Sequence, residues 1–79
     1  MNDKLKQALE ELHTELRRIG PDNPDLQSLQ QKTVQALKTG EHLPIVEDLR
    51  DAAKSFEVRY PDLTALINNA LNTLSALGI

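Results

Sequence analysis

The chain has 79 residues, 39% of them hydrophobic, with a net charge of −3 and no cysteine. That length supports one helical domain, residues 1–79, near the size where a single core is only just sufficient. The missing Cys excludes a disulfide framework and a thiolate metal site, and the acidic balance argues against general affinity for nucleic acid or an anionic membrane.

Leu and Ala dominate the apolar set, Val and Ile are few, and there is one Phe and one Tyr. Leu and Ala are helix formers, whereas β-branched and aromatic residues favour strands. The expected fold is therefore all-α, a small up-and-down bundle of three or four helices at about 3–19, 24–39, 44–59 and 61–77. Met1-Asn2-Asp3-Lys4 leads into an amphipathic pattern and not a signal peptide, so a cytoplasmic protein is expected.

In the first helix Leu5, Leu9, Leu12, Leu16 and Ile19 follow a heptad seam with Ala8 at its edge. Asn2 or Asp3 can cap its start, Arg17 and Arg18 suit the negative end of its dipole, and Gly20-Pro21 stops it. Asn23 and Pro24 open the second helix as N-cap and first helical residue. Leu26, Leu29, Thr33, Val34, Ala36 and Leu37 give it the weakest stripe of the four, and Gly40 ends it.

Pro44 signals the third helix, with Ile45, Val46, Leu49, Ala52, Ala53, Phe56 and Tyr60 on one side. Its end has two readings. The residue before a proline is biased away from the α region, which breaks the chain at Tyr60-Pro61. Yet the apolar phase runs through Pro61, so the last two helices could instead form one helix kinked there. The break is preferred, as a sharp corner, since no residues remain for a loop.

The last helix starts with Pro61 and Asp62. Leu63, Leu66, Ile67, Ala70, Leu71, Leu74 and Leu77 fall within roughly 140° of its wheel, the width of a core-facing stripe. Gly78 suits a left-handed close, with Ile79 folding back on Leu74. The opposite face carries no charge: Thr64, Ala65, Asn68, Asn69, Asn72, Thr73, Ser75 and Ala76. Within it Ala65, Asn69, Asn72 and Ala76 are spaced 4, 3, 4, a seam of small residues and Asn suited to a second helix. These four are the candidate interface; the alternative is a solvated face that lacks charge. Three Asn exclude a membrane span. The proposed core is Leu5, Leu9, Leu12, Leu16, Leu26, Leu29, Leu37, Leu49, Phe56, Leu63, Ile67, Leu74 and Leu77.

P-D-L-x-x-L occurs at Pro24 and Pro61, too short an echo to make a repeat protein. No catalytic motif emerges. Ser28, Ser55 and Ser75 lie on predicted helices, and isolated Gly residues form no phosphate-binding loop. Glu10 and His13 have the spacing used in di-iron bundles, but those sites need two such motifs plus two further Glu. His42 reads as a loop residue, and Phe56 and Tyr60 as core anchors. No catalytic residue, metal ligand or cofactor is expected, nor an enzyme.

The sequence L-x-x-x-L-x-x-L-H-x-E-L from Leu5 to Leu16, then F-E-x-x-Y-P-x-L from Phe56 to Leu63 and a closing Leu77-Gly78-Ile79, resembles a family of short bacterial proteins known as domain of unknown function 4404. The family often has His where this chain has Tyr60, so no role of that His carries over. The resemblance implies helices and a bacterial source, and it brings no activity.

The leading functional expectation is a non-enzymatic module that self-associates, as a dimer, through the last helix. The alternative is a monomeric adaptor that binds an amphipathic helix of an unknown partner protein, with the weak second helix as the part that opens. A more remote reading is a metal or small-ligand binder. Neither nucleic acid nor a membrane is an expected partner.

Overall fold

A computed structural model describes residues 2–20, 24–41 and 43–78. They form four helices: α1 (Asp3–Ile19), α2 (Pro24–Thr39), α3 (Leu43–Ser55) and α4 (Pro61–Ala76). Each helix packs against its neighbour in sequence, and α4 returns to pack against α1. Among the described residues no backbone contact joins the diagonal pairs α1–α3 or α2–α4. This is a closed up-and-down four-helix bundle with its core at the centre of the square.

Asn2 caps α1. Its backbone is extended, and its Oδ1 accepts from the Lys4 N–H at 2.8 Å and the Leu5 N–H at 3.3 Å. Those donors have no partner within the helix, so the cap satisfies groups that would otherwise need water. Leu5, Leu9, Leu12 and Leu16 are all buried, as their spacing predicts, with Ala8 beside them.

The inward line of α2 is thin. It buries Leu26, Leu29, Thr33 and Ala36. Thr33 is tolerated there because its hydroxyl donates to the Leu29 carbonyl at 2.8 Å. Leu37, expected in the core, is only partly buried. The core line passes through Leu29, Thr33 and Ala36, and Leu37 lies roughly 60° off its centre on a 100° wheel. The predicted cap Asn23 lies outside the described residues, as do Met1, Pro21, Asp22, His42 and Ile79.

The third helix is shorter than predicted. It ends at Ser55 and not near Arg59. Phe56 to Arg59 turn the chain, with the Phe56 N–H donating to the Ala52 carbonyl at 2.9 Å and the Tyr60 N–H to the Phe56 carbonyl at 2.8 Å. Tyr60 has φ −131° and ψ 71°, outside the α region, and Pro61 follows as the first residue of α4. The pyrrolidine ring clashes with a helical residue before it, which explains why the break is chosen over one kinked helix. The corner is made from residues with an apolar phase. Phe56 turns inward and is buried, and Tyr60 packs its ring edge-on at 5.7 Å. The Arg59 guanidinium lies 5.7 Å from the Tyr60 ring centroid, within reach of a cation–π contact.

α4 buries Leu63, Thr64, Ile67, Ala70 and Leu74. Its close matches expectation: Gly78 has φ +85°, and its N–H donates to the Ser75 carbonyl at 3.0 Å, one of the two bonds of a Schellman end. The expected contact of Ile79 with Leu74 lies outside the described residues. Leu77, placed in the core from the wheel, is 41% exposed. Leu77 is the C-cap of α4, still in the α region at φ −84° and ψ 0°, so the wheel gives its direction but the helix end leaves it exposed.

Candidate functional site

The square packing fixes which way each face of α4 points. Leu63, Ile67, Ala70 and Leu74 face the core, which leaves the opposite line to solvent. Ala65, Asn69, Asn72 and Ala76 all lie on that outward side, and all four are exposed. The fold thus brings the four predicted residues together on one surface and covers none of them. Asn68 and Ser75 flank them and are exposed too. Thr73 is partly buried, with its hydroxyl donating to the Asn69 carbonyl at 2.9 Å.

From Leu63 to Ala76 the surface of α4 has no titratable group. The neighbouring helices differ. Lys4, Lys6, Glu10, Glu11, Arg17 and Arg18 are exposed on α1, and Glu47, Arg50, Asp51 and Lys54 on α3. Long charged side chains keep a helix face solvated and hold other proteins away, whereas Ala and Asn let a second backbone approach closely.

A shallow groove of about 300 Å³ runs between α1 and α4. It is lined by Lys4, Gln7, Ala8 and Glu11 of the first helix and by Asn69 and Thr73 of the fourth. At the end where α4 begins, Arg18 grips Glu15 by two bonds of 2.7 Å each. These bonds hold the Glu15 carboxyl below its usual pKa, outweighing the upward push of partial burial. The same bonds raise Arg18, with a weaker attraction from Asp62 at the start of α4.

The remaining chemistry is sparse. A polar cleft of about 200 Å³ between α2 and α3 is lined by Asp25, Ser28, Asp48, Asp51, Ser55 and Phe56 among others. Lys32 reaches to 3.4 Å from Asp48, linking the two helices. Among the described residues no group of three or more His, Asp or Glu is placed to hold a metal ion. Glu10 is exposed and His13 half-buried on the flank of the Leu seam, and no second pair joins them. The site residue that sequence reasoning missed is Lys4. It lines the groove with Glu11, opposite Asn69 and Thr73, a placement that depends on which flank of α1 meets α4.

No curated protein and no solved structure matches the chain. A family model does match, over residues 5–79, which spans all four helices. The chain therefore belongs to the family described as Domain of unknown function (DUF4404).

Proposed function

We propose that this protein is a non-enzymatic interaction module of the bacterial cytoplasm that self-associates as a dimer through the outward face of α4. One observation carries the reading: Ala65, Asn69, Asn72 and Ala76 are exposed on a helix face without charge, in a bundle whose other helices carry charges outward. A domain of this size has little core to spare, and pairing two copies adds buried surface without lengthening the chain. No described helix is long and apolar enough to cross a membrane. The net charge of −3 supports neither nucleic acid nor an anionic membrane as partner.

Sedimentation equilibrium over a concentration series tests this. A mass of twice the 8.8 kDa chain is expected at high concentration, and Ala65→Glu with Ala76→Glu should return the protein to monomer. Buried, unpaired carboxylates at both ends of the seam are strongly unfavourable. A monomer at every concentration, or a dimer indifferent to both substitutions, would refute the proposal.

A second reading, the monomeric adaptor, draws on α2. That helix buries only Leu26 and Leu29 as large side chains and places a threonine, Thr33, in its inward line. Hydrogen exchange should then find α2 the least protected helix. Equal protection across the bundle would count against a groove that opens there.

A further inference from the structure

The seam on α4 has a symmetry that a solvated face does not need. Ala65, Asn69, Asn72 and Ala76 read the same from either end, Ala-Asn-Asn-Ala at spacings 4, 3, 4. When two copies of a helix pack antiparallel about a twofold axis, each residue meets the one equally far from the centre on the other copy. Here that sets Ala65 against Ala76 and Asn69 against Asn72. Small residues meet at both ends, where they allow an approach of about 8 Å between axes. Amides meet in the middle, where each Asn has both a donor and an acceptor to offer.

α1 supplies an independent observation. The α1–α4 groove brings Lys4, Gln7, Ala8 and Glu11 to the level of Asn69 and Thr73, so the centre of the α4 seam lies beside the centre of the Lys4–Glu11 stretch. An antiparallel twofold axis in the plane of this surface keeps α1 on the same side in both copies. It lays α1 over α1 just as it lays α4 over α4. Lys4 of one copy then faces Glu11 of the other, and Glu11 faces Lys4. Both residues are exposed, and neither forms an ion pair within the chain among the described residues. Their long side chains can bridge the space beside the closely packed small residues of α4.

We infer that the dimer is an antiparallel, twofold pair in which α4 packs on α4 about the Asn69–Asn72 midpoint, with two Lys4–Glu11 ion pairs between the α1 helices. This inference rests on the self-association proposed above and names its geometry. A twofold axis parallel to the helices would instead lay α1 over α4, leaving Lys4 and Glu11 opposite uncharged residues and the palindrome without consequence.

Charge exchange tests the α1 contact. In a Lys4→Glu dimer both ion pairs become like-charge pairs, and the same holds for Glu11→Lys. Each variant alone should associate about tenfold more weakly, an effect on the scale of two exposed ion pairs reversed in sign. Mixing the two variants restores opposite charges at both contacts, so the heterodimer should form with wild-type affinity and exceed either homodimer. Lys4 and Glu11 are exposed and on a helix, and Lys and Glu are both good helix formers, so the variants should fold.

Cysteine pairing tests the α4 contact in a chain with no cysteine of its own. Under mild oxidation Ala65→Cys mixed with Ala76→Cys should give a covalent dimer, and neither variant alone should. Cross-linking of Ala65→Cys with itself would overturn the antiparallel geometry and leave self-association standing. A dimer lost on Ala65→Glu with Ala76→Glu, yet blind to charge exchange, would overturn the α1 contact alone. A monomer throughout would overturn both this inference and the proposed function.

Discussion

Two threonines are buried in this bundle, and they are satisfied differently. Thr33 donates its hydroxyl to the Leu29 carbonyl one turn back, at 2.8 Å. Thr64 is also buried, but its Oγ1 has no hydrogen-bond partner. The carbonyl one turn back belongs to Tyr60, which stands outside the helix and already accepts the Thr64 N–H at 3.0 Å. A buried hydroxyl without a partner loses its bonds to water and gains none, at a cost of about 1–3 kcal/mol. Valine has nearly the same shape and helix propensity. Thr64→Val should therefore stabilise the protein by about 1 kcal/mol, taking the lower end because burial is not total. Thr33→Val should destabilise it by roughly 0.5–1.5 kcal/mol, the net value of a made hydrogen bond. For a domain of this length 1 kcal/mol moves Tm by about 4–8 °C. Thermal melts followed by circular dichroism at one fixed protein concentration would resolve both shifts and their opposite signs. If Thr64→Val were no more stable than the wild type, the hydroxyl would have a partner, such as a bridging water, and the reasoning would fail.

The Asn2 cap is local enough to be tested alone. Asn2→Ala should cost about 1 kcal/mol by releasing the Lys4 and Leu5 N–H groups, while Asn2→Asp should retain the cap; denaturant melts of the three proteins decide it. Glu15 gives a pH prediction with a definite sign. Its folded pKa is depressed by Arg18, so the pair stabilises the protein above the unfolded value of about 4.3 and the effect is lost as pH falls through the folded pKa. Wild type should therefore exceed Glu15→Gln in Tm at pH 7, and the gap should close below that window.

Most of the bundle could be read from the chain because its signals agree with one another. The Leu seam of α1, the proline starts of α2 and α4 and the glycine ends at Gly20, Gly40 and Gly78 each repeat at the sequence level what packing demands. The errors fall where periodicity outlives the helix. Phe56 and Tyr60 keep the phase of α3, but the turn at Phe56–Arg59 uses that phase to aim an aromatic pair at the core after the helix has stopped. Leu77 is a separate miss, in phase but exposed at the C-cap of α4. Apolar phase thus still marks an inward side chain at Phe56 but does not mark where the helix stops, and the proline close ahead does.

The α4 face was legible for a different reason, and only in part. Absence of charge over a whole helix face can be counted in the sequence, and the palindrome of Ala65, Asn69, Asn72 and Ala76 can be seen there too. Whether that face is free depends on the square arrangement, which turns it directly away from the core and leaves it uncovered. The charges that would orient a second copy lie on α1, some sixty residues earlier in the chain. Lys4 and Glu11 stand two turns apart on one side of that helix, a spacing with no meaning for α1 alone. It acquires one only because α4 returns to pack beside α1, bringing the midpoint of one pattern level with the midpoint of the other. A helix from the end of the chain and a helix from its start then form one surface, and the twofold match spans both.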